Sequence, residues 1–117
     1  MKNSDAVNAL AALAQENRLD VFRLLVQAGP EGMQAGAVAS RLKLAPNTLT
    51  FHFDRLRQAG LVTVRRDGRS MIYAARFEVM NELLGFLTEN CCHGAATCTP
   101  TACIPAAKIK RRTKVAV

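Results

Sequence analysis

The apolar residues of this chain change their period twice, and no other feature restricts the fold as much. From Val7 to Leu56 they recur at helical spacing, from Leu61 to Tyr73 they alternate around Asp67-Gly68, and from Phe77 helical spacing returns. A stripe that serves one helix face cannot also serve a half-buried strand, so the chain reads as mostly α with one small β-hairpin. Its 117 residues make one small domain with little room for a catalytic cleft of its own. A second copy is the obvious way to extend such a core.

Ser4 is placed to cap a first helix in which Val7, Leu10, Ala11 and Ala14 share a stripe. Asn17 is the expected cap of a second helix, which Gly29-Pro30 ends. That helix carries Leu19, Phe22 and Val26 on one side and Val21, Leu24, Leu25 and Ala28 on another, the pattern of a central helix. Beyond Gly32, Ala35, Val38, Ala39 and Leu42 predict a short third helix. Pro46 opens a fourth, with Leu49, Phe53 and Leu56 inward and Gly60 at its end. Across Asp67-Gly68 the expected pairing sets Val62 opposite Tyr73 and Val64 opposite Met71. A last helix runs from Phe77 to about Asn90, with Met80, Leu83, Leu84 and Leu87 on one stripe.

This order, α-α-α-α-β-β-α with a tight turn before the fourth helix, is that of a winged helix-turn-helix. Residues 1–90 are read as one DNA-binding and dimerisation domain. Residues 91–117 are read as a flexible, cysteine-containing basic tail, with Lys108, Lys110, Arg111, Arg112 and Lys114 in one run.

Sixteen Lys and Arg against nine Asp and Glu give a formal charge of +7, which suits an anionic partner. The outward face of the fourth helix holds Asn47, Thr48, Thr50, Phe51, Asp54, Arg55 and Gln58. Its amides, hydroxyls and guanidinium can reach base edges or phosphates. Phe51 reads either as a contact for a thymine methyl or as a partly buried aromatic. His52 flanks the inward stripe and reads either as a phosphate contact or as a boundary histidine bonded to backbone. Arg65, Arg66 and Arg69 cluster at the hairpin tip, where long exposed cations suit the phosphates of a neighbouring groove. Each element alone could be an ordinary solvated surface. In this order they point to double-stranded DNA.

Several classes are excluded. No stretch approaches the roughly 18 apolar residues of a membrane span. The first residues lack a signal peptide's apolar block, so a soluble cytoplasmic protein is expected. His52 and His93 lack a paired acid or nucleophile and there is no Gly-rich phosphate loop, so an enzyme is not expected.

Three segments carry a likeness to a known family. Leu13-Ala14-Gln15-Glu16-Asn17-Arg18-Leu19-Asp20-Val21-Phe22-Arg23-Leu24-Leu25 resembles the opening helix pair of ArsR/SmtB-type metalloregulatory repressors. Leu44-Ala45-Pro46-Asn47-Thr48-Leu49-Thr50-Phe51-His52-Phe53 resembles their recognition-helix segment. Leu56-Arg57-Gln58-Ala59-Gly60-Leu61-Val62, followed by Arg65-Arg66-Asp67-Gly68-Arg69 and Tyr73, is similar to their helix end and wing. The resemblance spans about residues 5–90. It implies a homodimer, joined through its first and last helices, that binds palindromic operator DNA and leaves it when an inducer binds. The family pattern has Ser or Gln where this chain has Ala45.

The family's best-known inducer site is a cysteine pair in the first helix of the reading unit. That segment here, Met33 to Leu42, has no cysteine, and the last helix lacks the acid-and-imidazole pattern of a zinc sensor. All four cysteines, Cys91, Cys92, Cys98 and Cys103, fall in the last 27 residues. In a reducing compartment such a cluster reads as ligands or a sensor. Neighbouring helical residues point about 100° apart, so Cys91 and Cys92 converge only where the helix unwinds. Gly94-Ala95-Ala96 is flexible enough to fold Cys98 back onto them. Three soft thiolates match a soft three-coordinate ion, arsenite (As(III)) or Sb(III), and the CC-x5-C spacing resembles that of arsenic-responsive ArsR repressors with a C-terminal site. Zinc or cadmium becomes possible with a fourth ligand, Cys103 or His93, either as inducer of the same fold or in a zinc-stabilised protein-interaction module. A disulfide switch through Cys98 and Cys103 and idle thiols also stay open. A helix C-terminus and Glu89 disfavour thiolates, so ligation should release protons and a nucleophilic cysteine is not expected.

Overall fold

The short connections decide how the helices stack. The computed structural model describes residues 1–91. Its elements are α1 (Asn3–Leu13), α2 (Glu16–Ala28), β1 (Met33–Gln34), α3 (Ala35–Leu42), α4 (Pro46–Gln58), β2 (Val62–Asp67), β3 (Ser70–Ala75) and α5 (Phe77–Leu87). Met1–Phe86 make one unit, and a second begins at Leu87. The five helices and the hairpin form a winged helix-turn-helix.

The helix starts differ from the expected caps. Lys2 precedes α1, its backbone N–H donating to Asp5 Oδ2 at 3.3 Å, so Ser4 lies inside the helix. Gln15 caps α2, its side-chain oxygen accepting from the Arg18 N–H at 2.9 Å, two residues before Asn17. Both are local contests between acceptors for first-turn N–H groups. The expected central helix is present, because α2 buries Val21, Phe22, Leu24 and Leu25. Between α3 and α4 the turn is set by Lys43, left-handed at φ 56°, with Leu44 N–H donating to Ala39 O.

The sheet has three strands, ordered β1-β3-β2, one more than the hairpin. Gly32, at φ 78°, admits the extra strand: a Cβ there would run into the Tyr73 carbonyl oxygen. Met33 then pairs with Tyr73 and Gln34 with Ile72. In the hairpin Val62 lies opposite Ala75 and Val64 opposite Tyr73, two residues from the expected register. The turn residues are Gly68 and Arg69, with only Gly68 at positive φ. A turn with glycine first needs one left-handed residue, whereas a turn centred on Asp67-Gly68 needs two. A two-residue shift keeps each side chain on its own face.

The core forms where α2, α3 and α4 meet the sheet. Val21, Leu25, Val38, Leu49, Phe53, Leu56, Leu61 and Val62 are all at most 2% exposed. Phe53 of α4 stacks on Tyr73 of β3 with centroids 3.6 Å apart and planes 4° from parallel. That contact ties the fourth helix to the wing.

Candidate nucleic-acid interface

The face α4 turns outward follows from what it buries. Leu49, His52, Phe53 and Leu56 are inside, which leaves Asn47, Thr48, Thr50, Phe51, Arg55 and Gln58 exposed. Ala45 supplies no side-chain cap, and Pro46 begins the helix without an N–H to satisfy. Thr50 Oγ1 donates to Pro46 O at 2.9 Å. Phe51 is 54% exposed, and the Arg55 guanidinium lies over its ring, 5.6 Å from the centroid. Such a stack holds a long cation in one direction at little cost in hydration. Asp54, the acid of this face, is held by Arg57 at 3.5 Å.

The three wing arginines are not equivalent. Arg65 donates through Nη2 to Glu31 O at 3.0 Å, anchoring the loop before β1. Arg66 Nε approaches Gly68 O at 3.4 Å, along its own turn. Arg69, in the turn itself, has no internal hydrogen-bond or acidic partner among the described residues. It is therefore the wing cation most available to an outside anion.

His52 departs from expectation. It is 5% exposed, inside the fold with Leu49 and Phe53 rather than on the face with Arg55, and so is not presented to an outside phosphate. Neither ring nitrogen has a hydrogen-bond partner among the described residues, so the backbone-bonded reading does not hold either. Burial, and then the nearby Arg18 charge, hold its pKa below the usual 6.5. The unfolded chain takes up this proton near the ordinary value and the folded chain only at lower pH. Stability is thus full above about pH 6.5 and declines as pH falls toward the folded pKa. We expect His52→Leu, which replaces two unpartnered nitrogens by apolar atoms, to raise Tm and to flatten its fall between about pH 7.5 and about pH 5.5. Thermal melts of both proteins check this, and an unchanged pH slope would contradict it.

Of the cysteines, Cys91 is described. It is half-buried in the turn after α5, its N–H donating to Thr88 O at 3.0 Å. The last helix ends at Leu87, not near Asn90, which is left-handed at φ 58°. Cys91 therefore lies beyond α5. Cys92, His93, Cys98 and Cys103 lie outside the described residues. Among the described residues no group of three His, Cys, Asp or Glu side chains could hold a metal ion. No helix among them is long and apolar enough to cross a membrane.

Comparison with known proteins agrees with this geometry. Residues 13–65 match the model of a helix-turn-helix domain family. An HTH-type transcriptional regulator of Bacillus subtilis, YceK, is 34% identical over 91 residues, covering 74% of this chain and 90% of its own length. An ArsR-like transcriptional regulator from Rhodococcus sp. RHA1 superposes with a TM-score of 0.64 at 26% identity, over 72% of this chain and 76% of that one. The chain belongs to the ArsR/SmtB family of winged-helix regulators. A further relative in structure is a homodimeric winged helix-turn-helix DNA-binding domain, Mb0332 from Mycobacterium bovis, described as a possible ArsR-family regulator. It is 25% identical with a TM-score of 0.61, over 73% of this chain and 76% of that one. As an ArsR-family member the chain is a transcriptional regulator with a helix-turn-helix DNA-binding domain. Its similar proteins are regulators and not enzymes.

Proposed function

We propose that this ArsR-family protein is a metalloid-responsive repressor that binds operator DNA as a homodimer and is released when arsenite or Sb(III) is held by Cys91, Cys92 and Cys98. The DNA part rests on one observation above all, the exposed α4 face with Arg55 laid over Phe51 and Arg69 open on the wing. The homodimer is supported by apolar surface that one copy leaves uncovered. Although α5 carries Phe77, Val79, Met80, Leu83, Leu84 and Phe86, it fully buries only Leu83. Beside it, Leu19, Phe22, Val26, Met80 and Leu83 line a groove of about 430 Å³. In α1 the small Ala6 and Ala9 face inward while Val7 and Leu10 are 56% and 42% exposed. A second copy covering these faces sets the spacing of two α4 helices on successive major-groove half-sites.

The sensing part rests on thiol chemistry. Three thiols in a CC-x5-C spacing suit a soft three-coordinate ion, and α3 offers no competing cysteine. Cys91 stands only four residues past the end of α5, so drawing it toward Cys92 and Cys98 loads the helix whose apolar side the second copy would cover. By linkage, a 100-fold loss of operator affinity corresponds to about 2.7 kcal/mol of coupling between the two sites. Single replacement of Cys91, Cys92 or Cys98 by serine should leave operator binding intact and abolish release by arsenite, measured by fluorescence anisotropy. Full release by arsenite from all three variants would overturn Cys91, Cys92 and Cys98 as the inducer site, and a wild type that arsenite does not release would remove the metalloid from the proposal and leave the regulator. The same titration with zinc and cadmium separates the divalent-metal alternatives.

A further inference from the structure

A cleft of about 320 Å³ lies beside the reading helix, walled by α1, the start of α2 and the end of α4. Two arginines line it, Arg18 and Arg55, together with the amides of Asn8 and Gln58, and small alanines complete it. No carboxylate is among its lining residues, and among the described residues neither arginine is in an ion pair. Two uncompensated guanidiniums sharing one concavity repel each other and are kept together only at a cost. An anion between them removes that cost.

Arg18 is prepared for such a partner. Its Nε donates to the Ala12 carbonyl oxygen at 2.6 Å, which answers a carbonyl at the end of α1 and fixes the plane of the guanidinium. The terminal nitrogens are left without a hydrogen-bond partner among the described residues. A guanidinium held by one edge with the other edge open is the arrangement that grips a phosphate through two parallel bonds. Arg55 and Gln58 belong both to this cleft and to the outward face of α4, so the cleft is continuous with the surface that meets DNA.

We propose that the cleft seats a backbone phosphate of the bound duplex, with Arg18 and Arg55 as its clamp and Asn8 and Gln58 as neutral donors. The inference rests on the DNA-binding reading and adds to it a contact made from outside the helix-turn-helix and the wing, by residues of α1 and α2. Because the seat touches no base, it contributes affinity for any sequence rather than discrimination.

Asn8→Asp tests this, compared with Asn8→Ala so that any disturbance of α1 common to both cancels. The added carboxylate occupies the arginines and repels phosphate. Relative to Asn8→Ala, Asn8→Asp should bind operator and unrelated duplex more weakly by the same factor, about tenfold. The slope of log affinity against log salt should also fall by about 1. Arg18→Gln should show the same uniform loss, and because Arg18 also ties down α1, the Asn8 pair carries the decision. Equal affinities and slopes for the two Asn8 variants would overturn the proposal. So would an Asn8-dependent rise in Tm with millimolar inorganic phosphate while DNA binding stays equal, since the cleft would then serve a free anion. A wild-type protein without salt-dependent DNA binding defeats the regulator reading itself, a result distinct from a wild type that binds and variants that do not differ.

Discussion

Replacing Phe53 by alanine is expected to remove about 3–5 kcal/mol of stability, the usual cost of emptying an aromatic site in a packed core. Phe53 is 1% exposed and stacks face to face on Tyr73, so the change deletes its own burial and strips one side of a second ring. Small domains hold a total of about 5–15 kcal/mol, and one of this size sits toward the low end. Phe53→Ala should therefore populate the unfolded state measurably without denaturant, and the urea midpoint should fall steeply. Phe53→Leu keeps most of the volume and should cost about 1–2 kcal/mol. An unchanged midpoint in Phe53→Ala would show that the α4–β3 contact does not hold the fold. The same contact orients the reading helix against the wing, so DNA binding should fall with the folded fraction and recover with it in Phe53→Leu.

Phe53 also marks how far the sequence could be read. Its place in the Leu49–Phe53–Leu56 stripe follows from helical spacing alone, and all three are at most 2% exposed. The partner ring does not follow, because which strand residue reaches Phe53 depends on register. The alternation located both strands, but the register turned on whether the turn used one left-handed residue or two. Strand β1 has two residues, too few to show a period, and is made possible by Gly32. His52 illustrates a different limit. Helical geometry puts it at the edge of a stripe, and what buries it comes from elsewhere in the chain, with Arg18, thirty-four residues away, close enough to act on its pKa. Arg18 itself was legible only as part of a family-like segment. Its cleft is assembled from three helices, and no local pattern records that.

The stripe of α1 was visible, but its direction was not. Val7, Leu10, Ala11 and Ala14 stand at helical spacing, and all four are exposed, while Ala6 and Ala9 face the fold. Periodicity shows that a helix has an apolar side without saying whether that side meets its own core or another molecule. Alanine inside and larger residues outside is the order a helix takes when it must approach its own domain closely and also present bulk to a partner.

That arrangement makes Leu10 the position where a single charge should be most damaging to operator binding and least damaging to the fold. Leu10 is 42% exposed in one copy, so Leu10→Glu leaves the monomer's core intact and should change its urea midpoint little. In the proposed homodimer, with α1 in its interface, the same carboxylate must be desolvated against an apolar surface, once from each subunit, and association should weaken sharply. Operator affinity then falls for a geometric reason. With two linked reading heads, the second half-site is met at millimolar effective concentration, an advantage of about 100- to 10,000-fold that a monomer lacks. We therefore expect at least a 100-fold loss on a two-half-site duplex, about 2.7 kcal/mol, and almost none on a single half-site. Sedimentation together with anisotropy on both duplexes reads the two effects separately. If Leu10→Glu and Val7→Glu combined leave the dimer mass and the full-site affinity unchanged, α1 is not part of the subunit interface, and the apolar side it exposes belongs to some other contact.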